Sequence, residues 1–138
     1  MRTLTLCFVL LIAPVVAIHL VGCETTSKGP DVSNLNPNQL MQGYVSNLGD
    51  LGGILKGVNG TEGAANALPK AKDLVSNLGA YAEKIKALPP NTVSSLMSQY
   101  GSQLDPAMKV VDDQIARLAQ NPTYGSALTT ALSGLPRL

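Results

Sequence analysis

The chain has 138 residues with ten Lys plus Arg, nine Asp plus Glu and one His, so it is close to neutral and only 14% charged. That length suits one domain with a modest core. The near-zero balance provides no basic stripe of the kind a nucleic-acid surface needs, so a nucleic-acid partner is not expected.

The N-terminus divides into three zones. Met1 and Arg2 make a short positive end, residues 4–21 an apolar run broken by Pro14 and His19, and small Gly22 stands before Cys23. Such an order reads as a secretory signal. Leu20-Val21-Gly22-Cys23 closes the run and resembles the lipobox of bacterial lipoproteins, a resemblance confined to the first two dozen residues. It implies a diacylglyceryl group on the Cys23 sulfur, recognition of Leu20, Val21 and Gly22 by the lipoprotein signal peptidase, cleavage just before Cys23 and acylation of the new terminus. It also implies sorting by the next residue. An aspartate there commonly retains a lipoprotein in the inner membrane of didermal bacteria, and Glu24 therefore favours the outer membrane, with the domain facing the periplasm or exterior.

Burial contributes about 0.8 kcal/mol per methylene, so one acyl chain holds weakly and two or three hold durably. Three readings compete with lipidation. The apolar run approaches the about 20 residues that span a bilayer, as an uncleaved anchor would; the segment also suits an ordinary secretory signal; and Cys7 and Cys23 could form a disulfide, although Cys7 would leave with a cleaved signal.

Cleavage before Cys23 removes 22 of the 138 residues and leaves 116. Arg2, Cys7, Phe8 and His19 go with the signal, and nine basic residues then balance nine acidic ones. The remaining chain lacks His, Trp, Phe and any unmodified thiol. Histidine is the usual proton shuttle and the commonest transition-metal ligand, and thiolate is the strongest natural nucleophile. If cleavage occurs, zinc sites, Cys-His or Ser-His-Asp catalysis and Fe–S ligation are excluded, which leaves carboxylate, Ser/Lys or Tyr chemistry. No metal or cofactor is expected.

Residues 24–35 are rich in Thr, Ser, Lys, Gly, Pro and Asn and read as a flexible tether, spanning about 20 Å as a coil. Asn36-Pro37 then supplies a cap and a first-turn proline. Leu40, Tyr44, Leu48, Leu51 and Leu55 follow at helical spacing, which predicts a first helix over 37–56. Gly43, Gly49, Gly52 and Gly53 lie within it, each costing up to about 1 kcal/mol against Ala. They either let another helix approach or mark a break.

Residues 57–60 form a turn, with Thr61 as the expected cap of the second helical region. Its seam is Ala71, Val75, Leu78, Ala82 and Ile85, joined by Leu74, Tyr81 and Leu88. Pro69 predicts a short first piece over 62–68 joined through a kink to a main helix ending near Leu88. Pro89-Pro90 ends the region, and Asn91 is the expected cap of the third. There Val93, Met97, Tyr100, Leu104, Met108, Val111, Ile115 and Leu118 keep one apolar stripe across Asp105-Pro106, which favours a single kinked helix over two. Asn121-Pro122 opens a short last helix bearing Leu128, Ala131 and Leu132. No stretch alternates like a strand. The fold class is therefore all-α: a small antiparallel helical bundle of three long, partly kinked helices and a short C-terminal one. Short connections favour antiparallel neighbours.

Val45-Ser46-Asn47-Leu48-Gly49 recurs as Val75-Ser76-Asn77-Leu78-Gly79, either a duplicated hairpin element or coincidence in a biased composition; an array would need a third copy. Tyr44, Tyr81, Tyr100 and Tyr124 are the largest mature side chains and read as core or boundary groups. Asp112-Asp113 point apart on a helix, and Asp113 is placed to pair with Arg117. Lys70, Lys72, Lys84 and Lys86, interleaved with Asp73 and Glu83, read as a charged exterior that could also touch anionic headgroups. Asn59-Gly60-Thr61 matches a glycosylation sequon and reads more simply as turn and cap.

These observations favour a non-enzymatic envelope lipoprotein whose helical domain binds a protein partner, itself or an envelope component, with membrane lipid engaged through the acylated N-terminus. The alternative is carriage of a lipid or small apolar ligand in a cavity lined by Leu74, Leu78, Met97 and Met108. A tethered hydrolase using carboxylate or Ser/Lys chemistry is the remote third.

Overall fold

A computed structural model describes residues 29–138, and the fold over them is all-helical, with four helices and no strand. Helix α1 is Pro37–Lys56, α2 Thr61–Lys86, α3 Pro90–Ala119 and α4 Pro122–Leu132. The first starts on the device read from the sequence. Asn36 accepts from the Gln39 backbone N–H at 3.0 Å, and the Gln39 side chain accepts from the Asn36 backbone N–H at 3.0 Å. This reciprocal capping box, with Pro37 in the first turn, satisfies N–H groups that no helical carbonyl reaches.

The other expected caps fall differently. Gly60 and Pro89 precede α2 and α3 without a side-chain cap, so Thr61 and Asn91 lie inside their helices. Asn121 precedes α4 but turns its amide backwards, donating to the Arg117 carbonyl at 3.1 Å; it closes α3 instead of opening α4.

Neither internal proline divides its helix. Both α2 and α3 run continuously through Pro69 and Pro106, correcting the expected short piece before Pro69. A proline deprives the carbonyl four residues earlier of its donor, and here those carbonyls belong to Ala65 and Ser102. Ala65, Pro69, Ser102 and Pro106 are all exposed, so water can meet what the helix leaves unpaired.

Helix α1 is the hub. Leu40, Met41, Tyr44, Leu48, Leu51, Gly52 and Leu55 are buried, an arc wide enough for two partners, and it packs on both α2 and α3. A side chain on Gly43 would fall 2.5 Å from the Tyr81 ring, and one on Gly52 would fall 2.9 Å from Val110 Cγ1. These two glycines are the points where α2 and α3 approach α1. Early α1 thus meets late α2, an antiparallel register that sets Val45-Ser46-Asn47-Leu48-Gly49 opposite its echo, with Leu48 and Leu78 both fully buried. The expected neighbour pair α2 and α3 does not pack lengthwise; α1 on one side and α4 on the other bridge them.

The last turn of α3 is clamped to α4 at Gly125, where any β-carbon would collide with the Leu118 carbonyl. From there α4 lies along the first half of α2, Thr123 and Tyr124 beside Thr61 and Ala64, Thr130 and Ala131 beside Lys72. At the far end the C-terminal residues fold back over α1: Tyr44 Oη donates to the Pro136 carbonyl at 2.7 Å, and Arg137 pairs with both Asp112 oxygens at 2.6 and 3.2 Å. At the opposite terminus, part of the expected tether is laid against the helices, with Val32 buried and Leu35 packed on the core.

Candidate functional site

Leu20, Val21, Gly22, Cys23 and Glu24 lie outside the described residues. Within them, a groove runs along the outer shoulder between α1 and α2. Its first section, about 560 Å³, is lined by Gly49, Asp50, Gly53 and Ile54 of α1 and by Lys70, Asp73 and Leu74 of α2. The second, about 290 Å³, continues from Gly53, Ile54 and Lys70 to Gly57, Val58, Gly63, Asn66 and Ala67.

Local sequence explains this form. Gly49, Gly53 and Gly57 recur every four residues and so share one face of α1. A β-carbon on Gly49 or Gly53 would have no neighbour within 4 Å. Unlike Gly43 and Gly52, they accommodate nothing among the described residues. Asp50 and Asp73 flank the floor with Lys70, and none of the three belongs to an ion pair among the described residues, where the pairs are Lys109–Asp113 and Arg137–Asp112. One turn beyond Asp73, Asn77 carries the start of the described chain: the space beside Gly29 is bounded by Asn77 Oδ1 at 3.7 Å. A second depression between α2 and α4 has Leu68 and Ala127 in both its sections, with Tyr124 at one end and Lys72 at the other.

The residues singled out in the sequence are dispersed. Tyr44, Tyr81 and Tyr100 are buried and Tyr124 is half-buried, as packing groups would be. Burial pushes the Tyr44 hydroxyl above its ordinary titration range. Lys70 and Lys72 line different grooves, while Lys84 and Lys86 are exposed elsewhere on α2. Asp112 and Asp113 do point apart, each to its own cation. Asp113 takes Lys109 at 2.9 Å instead of the expected Arg117.

Arg117 does something the sequence did not announce. Its guanidinium donates to the carbonyls of Leu55 at 2.7 Å and Val58 at 2.9 Å, and its Nε to Gln114 Oε1 at 2.8 Å. It closes the C-terminal end of α1, where unpaired carbonyls and the negative end of the helix dipole favour a cation. Helical spacing suggested Asp113 because it lies four residues away; the chosen acceptors lie 59 and 62 residues away.

Two smaller electrostatic features complete the surface. The Ser33 N–H donates to Asp31 Oδ1 at 3.1 Å and, as the leading cause, holds that carboxyl below its usual range. The bond to Asp112 raises the already high pKa of Arg137. Among the described residues, no three His, Cys, Asp or Glu side chains converge as a metal site, and no helix is long and apolar enough to cross a membrane. The glycine spacing at 49, 53 and 57 was the available signal for the α1/α2 groove; the opposing Asp73, Leu74 and Lys70 required the register.

The chain matches no protein-family model, no curated protein and no solved structure.

Proposed function

We propose that the protein is an envelope lipoprotein, lipidated at Cys23, whose helical domain is a non-enzymatic interaction or structural module. Leu20-Val21-Gly22-Cys23, placed at the end of the apolar run, carries this reading. The proposed working unit is an antiparallel bundle of three long helices and one short one, held at a membrane surface, with the outer membrane favoured through Glu24. Its partner would be a protein or a second copy, engaged without metal or cofactor.

Two features of the described residues support an interaction module over a ligand carrier. Leu78 is fully buried, and Leu74, Met97 and Met108 pack against the same core, which supports a packing role for these side chains over the lining of an enclosed ligand cavity. The surface instead offers open grooves in which small and aliphatic residues stand beside the charged Asp50, Lys70 and Asp73, suited to contact with another chain.

Mass spectrometry of the membrane fraction tests the anchor. The expected N-terminal peptide starts at Cys23 with two or three acyl chains; an intact Met1 terminus would overturn the assignment and return Cys7 and His19 to the protein. Crosslinking in cells followed by pull-down tests the module reading, with a defined protein partner or a dimer expected.

A further inference from the structure

We infer that the cleft between α2 and α3 is a docking site for an extended segment of another protein, of the pattern aliphatic–Pro–Arg–aliphatic, and that residues 135–138 occupy it in cis as a displaceable latch. The inference rests on the interaction-module reading, for which it names a surface and a partner chemistry, and it stands apart from lipidation at Cys23.

The cleft exists because α1 holds α2 and α3 without the two packing lengthwise on each other. Helix α4 closes it along the first half of α2, and the chain leaves that helix at Ser133 and Gly134. Leu135, Pro136, Arg137 and Leu138 cross what remains, and each of the three surrounding helices supplies one part of a seat. From α1, the fully buried Tyr44 donates its hydroxyl to the Pro136 carbonyl at 2.7 Å. From α2, Gly79 offers bare backbone: beyond its own helix, only Pro136 Cγ lies within 4 Å of a β-carbon placed there, at 3.9 Å. From α3, Asp112 takes Arg137 through both oxygens at 2.6 and 3.2 Å. Leu135 and Leu138 flank this pair of residues and pack on the core.

The seat is therefore selective. Any extended chain supplies the carbonyl that Tyr44 needs, since a buried hydroxyl left unpaired is costly. Gly79, at a cost in propensity to the middle of α2, admits a flat ring against the helix. Asp112 then requires a cation on the next residue and suits the planar fork of a guanidinium.

The occupant in cis is held lightly. Beyond the Leu135 N–H, which donates to the Leu132 carbonyl at 3.0 Å, the segment makes no backbone–backbone bond among the described residues. The Arg137 and Asp112 side chains are 57% and 43% exposed, and pairs so open to water add little stability. The walls stand without it, because α2 and α3 are each packed on α1 and α4 is clamped to α3 at Gly125. The latch thus lies at the low-stability end of the fold. A segment in trans competes for the same seat, and its apparent affinity follows the fraction of chains whose latch is open.

Sterics favour another protein over a second copy. Leu135 follows Leu132, buried in the core, by three residues, or about 10 Å of extended chain. The same segment of a second copy would carry its own α4 into space that the first α4 fills, whereas a loop or tail of another protein brings no such helix.

Fluorescence anisotropy of a dye-labelled synthetic peptide with the sequence of residues 133–138, titrated with the full chain in detergent, tests the site. Arg137→Glu in the protein opens the latch and leaves Tyr44, Gly79 and Asp112 in place, so that variant is expected to bind the peptide about tenfold more tightly than the parent. Adding Gly79→Leu blocks the proline seat and should abolish binding, as should a peptide with Glu in place of its arginine. Circular dichroism should report unchanged helix content in both variants, because Arg137 lies outside the helices and Gly79 faces only Pro136. Equal affinities for parent and Arg137→Glu, no binding by a folded Arg137→Glu chain, or binding indifferent to Gly79→Leu would overturn the site. A parent dimer in sedimentation that the peptide disperses would give the seat to a second copy and overturn the assignment to another protein. Capture of a partner at a different face by crosslinking would keep the module reading while these results removed the cleft, so the two can fail separately.

Discussion

The same substitution at two helix-interior glycines should change stability in opposite directions. Gly43→Ala and Gly101→Ala each gain about 1 kcal/mol of helix propensity, so that contribution cancels in the comparison. They differ in what the new methyl meets. At Gly101 nothing lies within 4 Å. At Gly43 the methyl falls 2.5 Å from Cε1 and Cζ of Tyr81 and 2.8 Å from its hydroxyl oxygen, whereas carbon atoms pack best at about 3.5–4.0 Å. About 1 Å of overlap must be relieved by moving a ring that is only 9% exposed or by parting α1 from α2. Overpacking of this kind costs about 1–3 kcal/mol, which is the expected gap between the two variants. For a domain of this size, 1 kcal/mol shifts Tm by about 4 °C or somewhat more, so the melting temperatures should stand about 4–12 °C apart, with Gly101→Ala above the parent. Urea melts followed by helix ellipticity measure the same gap. Adding Tyr81→Val to Gly43→Ala should recover part of the loss, because the ring that the methyl strikes is gone. Equal midpoints for Gly43→Ala and Gly101→Ala, or no coupling to Tyr81, would refute the register assigned to α1 and α2.

Arg117→Ala should cost about 1.5–3 kcal/mol, the range for losing charge-assisted bonds, because the Val58 carbonyl loses its Arg117 donor and the Leu55 carbonyl keeps only backbone donors such as the Val58 N–H at 3.1 Å. Lys109→Ala removes only an exposed pair one turn apart and should cost under about 0.5 kcal/mol; denaturant midpoints that rank the two the other way would sink the capping role. Tyr44 provides a pH signature. Its folded-state pKa is raised by burial above 10.0, so the folded protein holds a proton that the unfolded chain gives up, and stability should be intact below pH 10 and fall as pH rises beyond it. Tyr44→Phe should flatten that alkaline limb while costing about 1 kcal/mol at neutral pH for the lost bond to Pro136; an unchanged alkaline limb in stability measured against pH would contradict the assignment.

Much of the helical pattern could be read locally, and particular residues show why. Asn36, Pro37 and Gln39 start α1 through bonds that span three residues, and the stripe through Tyr100, Leu104, Val111 and Leu118 continues across Pro106 because one core stands on the same side throughout. Leu96, buried but outside the expected stripe, shows how a neighbour widens the face that periodicity marks. Asn91 and Asn121 marked the right neighbourhoods as caps, yet Asn91 lies inside α3, and Asn121, at the cap position of α4, makes no side-chain cap bond. A cap is chosen by where the preceding backbone delivers the side chain, which composition does not specify.

What residues 37–138 determined by themselves was helix after helix: caps and prolines near the starts, apolar faces, turns at glycine and proline. Residues 1–24 likewise contain the whole of the lipobox resemblance, since recognition of a linear motif needs no fold. Tertiary structure decided who meets whom. It placed α1 between α2 and α3, so that Gly43 and Gly52 became contacts while Gly49 and Gly53 became the wall of a groove. It gave Arg117 to the end of α1, leaving Asp113 to Lys109. Those outcomes depend on interpenetrating surfaces and on carbonyls brought near from distant parts of the chain, quantities set by three-dimensional packing and invisible to any window along the sequence.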